Sequence, residues 1–232
     1  SALASLAKSA NPDQALNYLL ALAEVDKSAI KKLIKNQDSA DRLCLVLGAS
    51  SALGDFIRRE PQTLESFEKA QRAPVSQEVL TEEFRTALQP VLAAAIAQKK
   101  ANPDSSFDSS SCWTNVRKSY RKGLLKLATF DLSQSNPAEA LPTVAAGLAD
   151  LAGAAIELGI DIARAELTYS REFGNFERSE VAATEFAVIA MGKCGARELN
   201  YISDVDVIFV AGPAHDGLDA HRSIEVATKL AT

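Results

Sequence analysis

Residues 185–210 read EFAVIAMGKCGARELNYISDVDVIFV, and the reading of this stretch decides the fold. Phe186 to Met191 form a continuous apolar run of strand length, with a charge before it and a glycine after it. From Asp204 onward, DVDVIFVAG alternates polar and apolar with period two. The two segments predict two strands of a small mixed sheet, with Asp204 and Asp206 opening the second. In a strand, residues two apart point to one face, so both carboxylates fall on one side, and Val205, Val207 and Phe209 pack on the other.

That pattern has a chemical implication. Two carboxylates so close repel each other unless a cation sits between them. Hard oxygen ligands at this spacing suit Mg²⁺ or Mn²⁺, ions held through a few carboxylates plus substrate phosphates. Upstream, Gly192 and Gly195 follow directly on a strand, where a missing side chain lets backbone N–H groups approach a phosphate closely, and Lys193 adds a positive charge to the same turn. A glycine in a turn is usually only a turn, and a lone Asp-x-Asp recurs by chance. The informative feature is the combination: strand, Gly192-Lys193, ten intervening residues, then Asp204 and Asp206.

Before this stretch the chain carries a helical period. NPDQALNYLLALAEV opens with Asn11 as N-cap and Pro12 at the first helical position, where its missing N–H costs nothing. Short helices follow in residues 26–36, 38–50 and 51–60, with Pro61 ending the last, and Thr63 and Ser76 are capping candidates for the next two helical segments. Residues 102–111, NPDSSFDSSS, read as a polar, mobile loop. Trp113, Val116, Tyr120, Leu124 and Leu127 then recur at spacings of three and four, one apolar stripe of a long helix that leaves Arg117, Arg121 and Lys122 on its solvated side. A second long helix is predicted from about Leu141 to Ser170, where Ala145, Ala146, Gly147, Gly153 and Ala154 permit close contact with the Trp113 helix. The pattern changes at Val181. The fold class is therefore α+β, mostly α: a helical domain over residues 1–175, then the first part of a second domain over 176–232 whose last segment, from Asp216, is a helix packed back on the sheet.

With 47% hydrophobic residues and 24% charged residues among 232, the chain can bury a substantial core. Continuous apolar runs such as Val91–Ala97 are far shorter than the roughly 20 residues of a membrane span, and a signal-peptide plan is lacking, so a membrane is not expected and a cytoplasmic location is. Cys44, Cys112 and Cys194 show no CxxC spacing, which argues against a disulfide framework or a zinc site. Cys194 reads as a buried filler rather than a nucleophile. His215 and His221 are six apart, a spacing that suits neither a zinc pair nor a triad, and read as solvated. A net charge of −5 gives no global attraction to nucleic acid. The sequence starts at Ser1 rather than Met and stops inside a helical pattern, so it reads as a piece of a longer chain.

The strand, Gly192-Lys193 turn and Asp204-x-Asp206 together match the signature of the nucleotidyltransferase superfamily typified by DNA polymerase beta, with Lys193 where many members have Gly or Ser. More narrowly, GKCGARELNYISDVDVIFV resembles the GKxGGxELNxxSDxDLIF signature of the bifunctional glutamine-synthetase adenylyltransferase family. Gly192, Lys193, Gly195, Glu198, Leu199, Asn200, Ser203, Asp204, Asp206, Ile208 and Phe209 match, and Ala196 departs, standing where the family usually has its second glycine. Weaker similarity extends to VRKSYRKGLLKLATFDL and GDFIRREPQTLESF. The resemblance implies Asp204 and Asp206 as catalytic and Mg²⁺-holding residues, with Gly192, Lys193, Gly195 and Ser203 around the nucleotide. It implies glutamine synthetase, the PII signal protein, ATP or ADP, and phosphate as partners. Asn200 after Leu199 places the chain in the N-terminal half, which removes AMP from a tyrosine of glutamine synthetase by phosphorolysis. The rival readings are the ATP-using adenylylating half, or a regulatory module that docks PII or glutamine synthetase with an inert nucleotide site. Superfamily members complete the metal site with a third carboxylate on a later strand. The resemblance therefore implies that these 232 residues alone are inactive. Glu198 and Asn200 are candidates for orienting the metal loop, with a Glu198–Arg197 ion pair as the alternative.

Overall fold

A computed structural model of the chain describes residues 2–170, 176–214 and 219–232. The N-terminal helical periods become α1 (Ala2–Ala7), α2 (Pro12–Val25), α3 (Lys27–Lys35), α4 (Gln37–Ala49) and α5 (Ser51–Arg59), then a 3₁₀ helix at Pro61–Phe67. The starts of α2, α3, α4 and α5 are each marked by a side chain that satisfies a backbone donor the helix leaves unpaired. Asn11, Asp26, Asn36 and Ser50 accept from the N–H groups of Gln14, Ala29, Ser39 and Leu53 respectively. Asn11→Ala therefore removes a cap and is expected to lower stability by about 1 kcal/mol, read as a shift of the urea midpoint at unchanged slope. Thr63 is not a cap as predicted: it lies inside the 3₁₀ helix, and its hydroxyl donates back to Glu60 O at 2.7 Å. Ser76 does stand at the N-cap position of the next helix, but without a side-chain cap bond.

Next come α6 (Gln77–Ala101), α7 (Ser110–Leu132) and α8 (Pro137–Tyr169). The loop before α7 is anchored: Phe107 is buried and stacks on Tyr169 with ring centroids 5.7 Å apart. α8 starts four residues earlier than predicted and carries Pro142 within its opening turns. It is also long and apolar enough, by length and composition, to cross a membrane, which no continuous apolar run in the sequence announced. Alanine and glycine raise the mean without forming such a run, and half of the most apolar window is buried inside the protein. The predicted α7–α8 contact exists: the Trp113 ring lies 3.7 Å from where a Cβ at Gly159 would be, and Leu127 lies 3.1 Å from that of Gly147.

The C-terminal part contains α9 (Arg178–Ala182), β1 (Thr184–Ala190), α10 (Gly192–Gly195), β2 (Val207–Pro213) and α11 (Ala220–Leu230). The strands pair antiparallel with Ala190 opposite Val207 and Thr184 opposite Pro213, so among the described residues the sheet is antiparallel rather than mixed. The α+β, mostly α class stands.

Two compact units organise these elements, Ser1–Val75 with Arg121–Gly147, and Ser76–Tyr120 with Leu148–Thr232. In the first, Leu22, Leu43, Leu47, Ile57, Phe67 and Leu125 form a core from which water is excluded. The buried guanidinium of Arg42 donates to Phe67 O at 3.1 and 2.7 Å, closing the end of the 3₁₀ helix. In the second unit, Trp113 Nε1 donates to Glu166 at 2.9 Å, and Arg164 donates to Val181 O at 2.5 Å and Thr184 O at 3.0 Å, which fastens α8 to the start of β1. Val226 and Leu230 of α11 pack with Leu167, Val181 and Phe186, so one sheet face is covered as predicted. Ile189, Ile208 and Val210 lie on the other face and are about half exposed.

Candidate functional site

The turn after β1 is shaped by sterics at three positions. Met191 N–H donates to Asp206 O at 2.8 Å, which extends the strand ladder one step and sets Asp206 opposite Met191. Gly192 then takes φ +52°, a left-handed value that suits glycine, and a Cβ there would meet Asp206 Oδ2 at 3.1 Å. The Asp206 carboxylate therefore sits directly over the first glycine of the turn. Gly195 packs its Cα against the strand it has just left: a Cβ would lie 2.3 Å from Ala190 O.

The single turn of α10 closes with a Schellman motif. Glu198 N–H donates to Lys193 O at 2.7 Å and Arg197 N–H to Cys194 O at 3.0 Å. The left-handed residue of that motif is Arg197, at φ 59°, where glycine is usual. Ala196, at φ −77°, is in ordinary helical space, so the residue that departs from the GKxGGxELN pattern costs the turn nothing. Arg197 does not pair with Glu198. Its guanidinium reaches α8, where Nη1 and Nη2 donate to Asp150 Oδ1 and Oδ2 at 2.6 and 2.8 Å. That carboxylate raises the Arg197 pKa further by fixing its protons in hydrogen bonds.

Asp150 is the residue that sequence reasoning missed. It is 8% exposed in an otherwise apolar stretch of α8, LADLAGAA, and a lone buried carboxylate requires a partner. That requirement was the available signal.

The structure brings Gly192, Lys193, Gly195 and Asp206 into one turn. Asp204 stands two residues before, in the segment leading into β2 rather than in the strand itself, because the ladder begins at Val207. The expected alternation nonetheless holds there: Asp204 and Asp206 are exposed, whereas Ser203, Val205 and Val207 are half-buried. Phe209 sits on the α11 side and stacks on Phe186 at 5.5 Å, although it remains 46% exposed. Asn200 Oδ1 accepts from Ile202 N–H at 3.1 Å, which folds the chain back toward Asp204. Glu198 is exposed, and among the described residues no cluster of three or more His, Cys, Asp or Glu side chains is placed to hold a metal.

The remaining candidates take solvated or buried places. Cys194 is buried, and burial pushes its thiol pKa up, away from nucleophilic reactivity. His221 is exposed beside Glu225, and His215 lies outside the described residues. Arg117 and Arg121 are exposed, and Lys122 lies 3.8 Å from Glu65. Asp206 beside a left-handed glycine, with Asp204 exposed two residues before it, provides hard oxygen donors open to solvent, a partial donor set of the kind that suits Mg²⁺.

Sequence comparison places this geometry among known proteins. The chain is 38% identical over 231 residues to the bifunctional glutamine synthetase adenylyltransferase/adenylyl-removing enzyme of Leifsonia xyli subsp. xyli (strain CTCB07), which covers 99% of the chain and 22% of that protein. It is 36% identical over 239 residues to the protein of the same name from Streptomyces avermitilis and 34% over 233 residues to that from Bifidobacterium longum (strain NCC 2705), each match covering 99% of the chain and 20% of the relative. The chain thus spans about a fifth of the length of the curated relatives it matches. The profile of the glutamate-ammonia ligase adenylyltransferase family matches residues 40–232, glycine turn and aspartates included, and the chain belongs to that family.

Proposed function

We propose that this chain is the N-terminal part of a longer bifunctional polypeptide and begins the site that removes AMP from a tyrosine of glutamine synthetase. The observation that carries the reading is the Asp206 carboxylate held over Gly192, with Lys193 next to it, in a member of this family. Leu199-Asn200, as the signature's ELN, favours the removing half over the attaching half.

In the reaction, an oxygen of inorganic phosphate attacks the adenylyl phosphorus. The bond from phosphorus to the tyrosine oxygen breaks, and the proton of the hydrogen phosphate passes to that oxygen, giving ADP and free tyrosine. Asp204 and Asp206 would hold Mg²⁺, which supplies charge neutralisation at the transferring phosphoryl group. The chain's own contribution is positional. Gly192 and Gly195 keep side chains out of the turn, Lys193 adds a positive charge for the phosphates, and the Met191–Asp206 bond holds the turn beside the carboxylates. By the same resemblance Ser203 stands beside Asp204 at the nucleotide. Glutamine synthetase is the protein substrate and a cytoplasmic location follows from that partner; the PII signal protein is proposed as the regulatory partner.

The test is to incubate adenylylated glutamine synthetase with the longer polypeptide and Mg²⁺, and to follow ADP by chromatography. Release that requires phosphate, and that ceases when Mg²⁺ is chelated, is the expected result. Release of pyrophosphate from ATP, lost on mutation of this turn, would instead assign the chain to the attaching half.

A further inference from the structure

We propose that Arg197 is a positioning residue for the Gly192–Gly195 turn and acts through its bidentate pair with Asp150 of α8. The inference deepens the reading above and rests on that turn being the phosphate-handling element. Three observations converge on Arg197. Its backbone occupies the left-handed closing position of the Schellman motif, where a side chain is penalised and glycine is the usual residue. Its side chain makes two parallel charge-assisted bonds, of 2.6 and 2.8 Å, the geometry a guanidinium fork is built for. Its acceptor is almost wholly buried in the middle of a long helix and so does not move independently of that helix.

The pair adds a charge-assisted attachment to the packing of buried Cys194. Met191 N–H and the close approach of Gly195 to Ala190 O tie the turn to the strands. Arg197 ties its far end to α8, one residue before the Glu198 N–H that closes on Lys193 O. With both ends fixed, Lys193 and Gly192 hold one position against Asp206. An ordinary surface ion pair would contribute little, and the Arg197 side chain is 54% exposed. Here the partner carboxylate is buried, so the pair both satisfies Asp150 and orders the turn. Among the described residues, the charge of Glu78 also acts on this guanidinium.

Arg197→Gly removes the tether and the backbone penalty together, and the relieved penalty offsets part of the cost of leaving Asp150 unpaired. Asp150→Asn removes the carboxylate from the other side, and Arg197→Lys keeps the charge without the parallel bonds. Hydrogen exchange of residues 192–198 in this chain is expected to accelerate about tenfold in Arg197→Gly and in Asp150→Asn, and less in Arg197→Lys. Arg197→Gly leaves Asp150 buried without its partner and should lower the melting temperature, a cost that adding Asp150→Asn should relieve while exchange at 192–198 stays fast. In the longer polypeptide, the KM for phosphate in AMP removal should rise about tenfold with a smaller change in kcat, and AMP attachment should be unaffected. Unchanged exchange at 192–198 in both variants would overturn the tether, and accelerated exchange with unaltered removal kinetics would overturn its positioning role. If the unsubstituted polypeptide removes no AMP, the functional reading fails by itself, and the exchange comparison still decides whether the tether exists.

Discussion

Asp206→Asn in the bifunctional polypeptide is expected to reduce AMP removal by two to three orders of magnitude and to leave AMP attachment largely intact. Asparagine has the shape of aspartate, and the backbone bond from Met191 to Asp206 O does not involve the side chain, so the turn keeps its geometry. What is lost is a negative charge positioned for a divalent ion, and charge stabilisation of that kind contributes several kcal/mol at a phosphoryl-transfer transition state. At about 1.4 kcal/mol for each tenfold change in rate, a loss of roughly 3–4 kcal/mol gives the stated effect. Asp204→Asn should behave in the same way. The measurement is phosphate-dependent ADP release from adenylylated glutamine synthetase, run beside ATP-dependent attachment on the same preparation. Equal loss of both activities in a folded variant would contradict the assignment to the removing half.

Gly195→Ala tests the shape of the turn. A Cβ at this position would lie 2.3 Å from Ala190 O and 2.9 Å from the carbonyl carbon, and both atoms belong to backbone in a paired strand, which cannot yield as a flexible side chain can. The turn must therefore move off β1 or the strand end must fray, at a cost of about 1–3 kcal/mol. AMP removal should fall with it, since displacement of positioning groups by even about 1 Å can cost on the order of 10²-fold in rate. Gly192→Ala should destabilise less. Its left-handed φ costs about 1–2 kcal/mol for an alanine, and its nearest neighbour, Asp206 Oδ2 at 3.1 Å, is the end of a side chain that can turn aside. Urea unfolding of the two variants checks the order. A Gly195→Ala protein as stable as the parent would show that the close approach is not a constraint.

The parts legible in the sequence were those where one residue type answers a local physical demand. Asn11 before Pro12 marked a helix start, the Phe186–Met191 run marked a strand, and paired glycines around Lys193 marked a turn against a strand end. Readings failed where a contact outside the local pattern decides the outcome. Thr63 looks like a cap, but it lies inside a 3₁₀ helix and its hydroxyl goes to the O of Glu60, the residue just before that helix. Asp204 and Asp206 look like strand residues, yet the ladder starts at Val207, because Gly192 turns β1's continuation away just after Met191 has paired with Asp206. Asp150 and Arg197 are 47 residues apart, and no local period connects them. Each looks ordinary alone, one in an alanine-rich helix and the other a plausible surface partner of Glu198.

The two compact units are interleaved along the chain in the order first, second, first, second, with the later crossings inside α7 and α8. Gene dissection meets a topological obstacle here. No single cut separates the two units cleanly: a truncation after Val75 deprives the first of Arg121–Gly147, and a start at Ser76 keeps the second whole but carries that same piece without the helices it completes. A nick in the loop around residues 102–109 likewise divides the second unit rather than separating the two. A shortened product that keeps one unit whole would therefore still carry a fragment of the other, and its inactivity would report on folding as well as on which segment carries the chemistry.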